Sequence, residues 1–147
     1  MGRASPDLLD PRRYGFAHEL QTRYSDVDPN QHINNVSMAA AFEDARVRFD
    51  HVAGLRAHYA STRVMIAAAS IDYLAEAHYP DPLRIHVAVL DIGRSSWTLG
   101  ELAMQDRRPC AYCRAVMVST DGTRGAPLSP DLRAWLEQSR IAPLGGH

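Results

Sequence analysis

Residues 24–36 carry the side chains of this chain that are best suited to chemistry. Within thirteen positions they include two aspartates, one histidine and three asparagines, namely Asp26, Asp28, Asn30, His32, Asn34 and Asn35. A carboxylate can act as a base or a nucleophile, and an imidazole or an amide can orient a reacting group. The same residue types are common in turns and helix caps. We expect Asn34 to be a helix N-cap and Asp26 a structural, capping acid, which leaves Asp28, Asn30 and His32 for chemistry.

A long helix should position this segment. From Asn35 onward, apolar residues recur at steps of four and three, at Met38, Phe42, Ala45, Phe49 and Val52. This period predicts a helix of about five turns that buries one face and ends near Gly54. Glu43 and Arg46 fall on other faces of the helix, and we interpret them as a solvated or inter-subunit pair.

Strands should surround this helix. The pattern of apolar and polar residues predicts a short C-terminal helix at 129–140 and five strands, at 16–24, 64–75, 83–89, 97–104 and 110–120. Because short turns join the last four strands, neighbours along the chain should pair antiparallel and curl around the helix. Both faces of the 64–75 strand are apolar, and the helix can cover only one. The other face should therefore meet a second subunit.

The composition limits the classes of function. A chain of 147 residues with a formal net charge of −1 fits one domain and gives no charge signal for nucleic acid or an anionic membrane. It has no apolar run of the roughly 20 residues that a membrane helix needs, and no signal-peptide pattern at its start, so we expect a cytoplasmic location. Cys110 and Cys113 lie in a predicted strand, which should turn their thiols to opposite faces. We interpret them as structural residues rather than as a zinc or redox site.

The order of the motif residues resembles the hotdog-fold thioesterase superfamily. The resemblance rests on Tyr24-Ser25-Asp26-Val27-Asp28, then His32-Ile33-Asn34-Asn35, with Glu43 and Arg46 on the helix. It is strongest for the 4-hydroxybenzoyl-CoA thioesterase-like group, and residues 28–36 are also very similar to the signature of plant-type acyl-[acyl-carrier-protein] thioesterases. It implies an α+β hotdog fold, in which an antiparallel sheet wraps around one long central helix. We expect this unit at 16–122, after a loose N-terminal leader at 1–15 and before a C-terminal extension with a short helix at 123–147.

The resemblance also implies a catalytic set. Asp28 matches the catalytic aspartate of the first group, and Asp28, Asn30 and His32 match the Asp-x-Asn-x-His set of the second. The carrier-protein enzymes add a glutamate on a later strand, and Glu76 occupies a similar place. Asn35 matches the position whose backbone N–H polarises the thioester carbonyl.

The residues that would shape substrate binding follow the family pattern less closely. Gln31 stands where many bacterial relatives have glycine, and Met38 stands where they have an aromatic residue, so the acyl pocket should differ in shape. Arg94, Ser95 and Ser96 lie at a predicted turn between strands. They could take the phosphates of coenzyme A, or they could form a plain turn.

The motif residues make chemical sense at the start of a helix. The first N–H groups of a helix are unpaired and carry about half a positive charge. A thioester oxygen placed there is stabilised as it becomes an oxyanion, and one such donor is typically worth roughly 3–4 kcal/mol. The same field favours an ionised Asp28, acting as a base toward water or as a nucleophile that forms a mixed anhydride. It also favours a neutral His32, with Asn30 holding one of these partners in place.

These inferences predict a thioesterase that hydrolyses an acyl thioester of coenzyme A or acyl carrier protein. Water is the second substrate, no metal or other cofactor is predicted, and the site should lie between the subunits of a homodimer or tetramer. Two alternatives stay open: an acyl-CoA hydratase or dehydratase of the same fold, and a non-catalytic protein that binds acyl thioesters. The five remaining histidines lack clustered partners in the sequence, and we interpret them as surface or ordinary packing residues: His18, His51, His58, His78 and His86.

Overall fold

One long helix and a five-stranded antiparallel sheet dominate the described part of the chain. The computed structural model describes residues 4–52, 54, 57 and 62–145. In chain order the helices and strands are β1 (Phe16–Leu20), α1 (Asn35–Val52), β2 (Arg63–Tyr73), β3 (Leu83–Ile92), β4 (Ser96–Gln105), β5 (Arg108–Thr120) and α2 (Pro130–Gln138). The sheet packs around α1, which confirms the predicted α+β hotdog architecture. No helix in these described ranges is long and apolar enough to cross a bilayer.

The core forms between one face of α1 and one face of the sheet. Met38, Phe42, Ala45 and Phe49 are at most 3% exposed and pack in one cluster with buried side chains of β3, β4 and β5. Fully burying a large apolar side chain contributes roughly 1.5–3 kcal/mol, so this stripe fixes the helix on the sheet. Of the five helix residues that were predicted to be buried, only Val52 is not: it is 77% exposed, at the last residue of the helix.

The strand order differs from the expected order at one place. The sheet runs β1-β3-β4-β5-β2, and every neighbouring pair is antiparallel. Consecutive pairing therefore holds for β3, β4 and β5, but β2 lies at the far edge beside β5 and not beside β3. The residues 74–82, which we call the β2–β3 connection, must cross from one side of the sheet to the other. In addition, β1 ends at Leu20 rather than at residue 24, and Tyr24–Asp26 form a 3-10 turn.

Residues 4–15 pack on the sheet face opposite α1, so the expectation of a loose leader is wrong for these residues. Two 3-10 turns, Pro6–Leu9 and Pro11–Arg13, precede Tyr14. Tyr14 is 7% exposed and packs in a second apolar cluster with side chains of β3, β4 and β5. The Arg13 guanidinium donates to the carbonyl of Ala142 at 2.7 Å, which ties this segment to the C-terminal extension. The first three residues and the last two lie outside the described residues, and the domain division stays a prediction.

The two cysteines face the same core cluster, which corrects the prediction of opposite faces. Both Cys110 and Cys113 are at most 1% exposed and belong to the cluster beneath α1. The pairing of β4 with β5 shifts register between Ala103 and Met104, so that Cys110 is an extra residue and the alternation of faces changes there. Burial raises the pKa of Cys113 to about 12, which suits the predicted structural role.

Candidate functional site

The helix start is capped as the sequence predicts. The Asn34 side-chain Oδ1 accepts the N–H of Ser37 at 2.7 Å, and its carbonyl accepts the N–H of Met38 at 3.0 Å. Asn34 also donates to the carbonyl of Asp26 from its backbone at 2.8 Å and its side chain at 3.0 Å. Asp26 in turn accepts two hydrogen bonds from Arg23, from its backbone N–H and its guanidinium. Although burial acts to raise it, these bonds hold the pKa of Asp26 below its usual value.

Asp28 shapes the loop in which it lies. Its Oδ1 accepts the backbone N–H of Asn30 at 2.9 Å and of His32 at 3.2 Å. A bridge between Val27 and Ile33 closes residues 27–33, which we call the Asp28 loop. Oδ2 accepts no hydrogen bond from the described residues. One carboxylate oxygen therefore holds the loop, and the other is left for a substrate or water.

The conformation of Gln31 bears on its departure from the family pattern, in which many relatives have glycine at this position. Gln31 has a φ of 70°, in the left-handed region. Glycine adopts this conformation without steric cost, whereas a residue with a Cβ does so at some cost. The hydrogen bonds that close the loop hold Gln31 there, so a loop of this shape forms without the glycine.

Glu76 meets His32 although the two belong to distant parts of the chain. Glu76 lies in the β2–β3 connection rather than on a strand. Its Oε2 is 3.1 Å from Nε2 of His32. The N–H of Ile33 donates to the carbonyl of Ala77 at 2.8 Å, which ties the Asp28 loop to the connection. The structure thus brings together the predicted residues Asp28, His32 and Glu76 through one loop and one connection.

His78 belongs to this group, which corrects the expectation of ordinary packing. Its Nε2 lies 3.8 Å from Oε2 of Glu76, and its ring meets that of His32 edge to face at a centroid distance of 5.6 Å. The Glu76-x-His78 spacing was the available signal, because residues two apart in extended backbone point to the same side. The expectation holds for His18, His51 and His86, and His58 lies outside the described residues.

Two predicted residues have open polar groups. The Asn30 side chain is exposed and makes no hydrogen bond within the described part of the chain, so its expected partner is not found there. Asn35 is the first residue of α1, and its backbone N–H has no partner among the described residues. That open amide at the positive end of the helix is what an oxyanion site needs.

The turn Arg94–Ser96 lies away from these residues within one chain. It joins β3 to β4, whereas the β2–β3 connection enters β3 at the opposite end. A strand of ten residues spans about 33 Å, so β3 separates the two places. The backbone of the turn is also engaged, since the carbonyls of Arg94 and Ser95 accept the N–H groups of Leu128 and Ser119.

Arg46 corrects the prediction of a solvated or inter-subunit pair with Glu43. Its guanidinium points inward and lies 2.8 Å from Oε2 of Glu101 on β4, whose side chain is fully buried. A second contact, at 3.8 Å, joins Arg46 to Sγ of Cys113. The pair therefore links α1 to the sheet and is not part of the surface.

Comparison with known proteins identifies the family. A family model described as the thioesterase-like superfamily matches residues 22–136, which include the Asp28 loop, α1 and the β2–β3 connection. The chain belongs to the thioesterase-like superfamily. Its match to the family covers both segments that form the site.

Solved structures of this family share the fold over nearly their whole length. A predicted thioesterase from Bacillus stearothermophilus is 26% identical, with a TM-score of 0.77 over 87% of this chain and 98% of that one. A thioesterase from Thermus thermophilus, complexed with coenzyme A and Zn, is 25% identical, with a TM-score of 0.77 over 90% of this chain and 98% of that one. Among curated proteins, YsmA from Bacillus subtilis (strain 168) is 28% identical over 117 residues, which are 79% of this chain and 80% of YsmA. The family and the two solved structures support thioesterase chemistry in general.

Proposed function

We propose that this protein hydrolyses an acyl thioester whose thiol is coenzyme A or the phosphopantetheine of acyl carrier protein. The observation that carries the proposal is the contact of 3.1 Å between Glu76 and His32, which joins the β2–β3 connection to the Asp28 loop three residues before the open amide of Asn35. A neighbour of the same fold was solved with coenzyme A, which supports the class of substrate. We expect the protein to act in the cytoplasm, where such thioesters are used.

The thioester carbonyl oxygen would bind at the N–H of Asn35. Charge that develops on this oxygen is then stabilised by the helix terminus, an effect worth roughly 3–4 kcal/mol for one donor. Asp28 offers Oδ2, because Oδ1 is occupied by the loop amides. Glu76 fixes the orientation of the His32 imidazole, which lines the same site.

Asp28 completes the reaction by one of two routes. As a base, it takes a proton from water while the water oxygen attacks the carbonyl carbon, and it returns that proton to the sulfur as the C–S bond breaks. As a nucleophile, its oxygen attacks the carbonyl and expels the thiolate, and water then hydrolyses the mixed anhydride.

A single turnover in water labelled with oxygen-18 tests for the anhydride route. Attack of water on the Asp28 carbonyl of an anhydride leaves the label in the protein, which mass spectrometry of the peptide with Asp28 detects. Label in Asp28 therefore identifies the anhydride route, whereas label only in the released acid arises from attack of water on the thioester or on the acyl carbonyl of the anhydride.

We also propose that a second copy of this chain pairs along β2. Among the described residues of one chain, β2 pairs with β5 on one side only, and no strand lies along its other edge. The strand exposes apolar side chains, with Met65 59% and Ile66 46% exposed. Unpaired, apolar edges of this kind are sites of strand pairing between chains. In such a dimer, or in a tetramer built from it, Arg94, Ser95 and Ser96 would contact the phosphates of coenzyme A bound at another subunit's site.

The test of the proposed activity is release of free thiol. The wild-type protein is assayed with acyl-CoA of graded chain length, with aromatic acyl-CoA and with acyl carrier protein thioesters. Turnover of at least one class supports the proposal, and its failure with all of them would overturn it.

A further inference from the structure

Gln105, the last residue of β4, has a buried amide whose hydrogen bonds all go to the β2–β3 connection. The side chain is 2% exposed. Its Oε1 accepts the N–H of His78 at 2.8 Å, and its Nε2 donates to the carbonyls of His78 at 2.8 Å and Asp81 at 3.0 Å. Both donor hydrogens and the acceptor of the amide are therefore used, as a buried amide requires.

The β2–β3 connection needs such support because it is not one of the paired strands of the sheet that the described residues form. At its start, the N–H groups of Leu74 and Ala75 donate to the carbonyl of Cys110. Near its end, Thr22 donates to the carbonyl of Asp81 at 3.0 Å. Glu76 lies between these points, next to Ala77, whose carbonyl accepts the N–H of Ile33 at 2.8 Å. Gln105 adds the hydrogen bonds that hold the backbone N–H and carbonyl of His78, one residue further on.

We propose that Gln105 is a positioning residue for the reaction. Its amide fixes the backbone at His78, and this holds the Glu76 carboxylate 3.1 Å from His32 and 3.8 Å from His78. Gln105 itself touches neither substrate nor the reacting atoms. A displacement of about 1 Å at a catalytic group can cost 10²-fold in rate, so loss of these hydrogen bonds should reduce turnover from a distance.

The variant Gln105→Met tests this role, because methionine has a similar length and makes none of the three hydrogen bonds. We expect kcat to fall about 10- to 100-fold while KM changes by less than about threefold, since the open amide of Asn35 is untouched. Thr98→Val is the matched control, since Thr98 is a buried polar residue on the same strand, 7% exposed, and it should leave kcat unchanged.

A readout independent of activity follows the imidazoles directly. With histidine labelled by nitrogen-15, Gln105→Met should shift the ring signals of His32 and His78, whereas Thr98→Val should not. A folded Gln105→Met protein with unchanged ring signals and unchanged kcat would overturn the proposal. The expected change in kcat rests on the proposed function, but the expected change in the ring signals does not. The ring signals therefore test the positioning role even if the wild-type protein shows no turnover.

The wild-type protein offers a further measurement that does not depend on a variant that folds. If Gln105 holds the connection, the N–H of His78 should exchange with deuterium as slowly as the N–H groups in the middle of β4. Exchange at the rate of exposed loop amides would contradict the proposal, whatever becomes of the Gln105 variants.

Discussion

The Glu76 carboxylate lies between two imidazoles that come from different parts of the chain. His32 belongs to the Asp28 loop, and His78 belongs to the same β2–β3 connection as Glu76. At 61% exposure the Glu76 side chain gains little stability from these contacts, because exposed ion pairs are worth about 0–1 kcal/mol. A role in orienting the His32 imidazole therefore explains the position of Glu76 better than a contribution to folding stability does.

Glu76→Gln should separate these two roles. Glutamine keeps the shape but removes the charge, so we expect thiol release to fall at least about 10²-fold with little change in thermal stability. Glu137→Gln is the control, because Glu137 is an exposed acid paired with Arg140 at 2.6 Å on α2. Equal activity of the two variants would show that Glu76 has no part in the reaction.

The role of a single residue can be predicted from the sequence when that role depends on neighbours within a few positions along the chain. Asn34 and Asp26 could be predicted because capping acts over three or four residues. His78 was missed because its partner His32 lies far away in the sequence, and only the position of the connection joins them. Arg46 was also missed, since nothing local shows that a charged helix residue meets a buried Glu101 on β4.

The helix α1 has two polar features that hold it in place, a cap at its start and a buried pair of Arg46 and Glu101 in its middle. The cap places the open amide of Asn35 at the Asp28 loop. The pair of Arg46 and Glu101 joins the helix to β4, and Oε1 of Glu101 has no hydrogen-bond partner among the described residues. The contribution of both features can be tested by measuring the free energy of unfolding of variants.

Asn34→Ala removes the cap at Ser37. We expect the free energy of unfolding to fall by about 0.5–2 kcal/mol, as measured by urea denaturation. Asn34→Asp keeps the acceptor oxygen and should lose less. If Asn34→Ala were as stable as the wild type, the cap would not hold the start of α1.

The buried Glu101 predicts a specific pH dependence. Burial raises its pKa to about 7 from 4.5, although Arg46 acts in the opposite direction. Between these two values the folded protein keeps a proton that the unfolded chain releases, so this group stabilises the fold at low pH. Its contribution is lost as the pH rises from about 4.5 to about 7.

Glu101→Gln should remove this contribution to the pH dependence. Below pH 4.5 the folded wild type already presents a neutral carboxyl to Arg46, so the variant, with a neutral amide there, should have a similar stability at low pH. Its free energy of unfolding should decline less steeply than that of the wild type between pH 4.5 and 7. Parallel curves from urea denaturation at several pH values would contradict the raised pKa.

The elements themselves could largely be predicted, but the order of the strands could not. A helix or strand that buries one face has apolar residues at a period of 3.6 or 2, and this period can be read directly from the sequence. The pairing of β2 with β5 depends on contacts between residues about fifty apart, so a short connection wrongly suggested that β2 lies beside β3. For the same reason the placement of Glu76 came from resemblance and not from pattern.

For the whole molecule, the unpaired edge of β2 sets the expected assembly. A strand that has one neighbour and exposes Met65 and Ile66 leaves backbone groups and apolar surface for a second chain. The sequence predicted a second subunit from the apolar faces of this strand, and the open edge indicates where that subunit would bind.

Ile66→Lys should weaken the assembly. Sedimentation of the wild type should give twice the mass of one chain or more, and the variant should shift toward one chain because a lysine opposes burial at the interface. Leu144→Lys is the control, as Leu144 is an apolar residue 61% exposed in the C-terminal extension. A wild-type protein that sediments as a single chain would refute pairing along β2.

We infer that Asp28 carries out thioester hydrolysis at the start of α1, and the rate of thiol release by Asp28→Asn is the sharpest check of this role. Asparagine keeps an oxygen for the N–H groups of Asn30 and His32, so the loop and the thermal stability should be preserved. We expect the wild type to release thiol from an acyl-CoA or carrier-protein thioester and the variant to be slower by about 10²- to 10⁴-fold. Undiminished release by a folded Asp28→Asn protein would contradict this role.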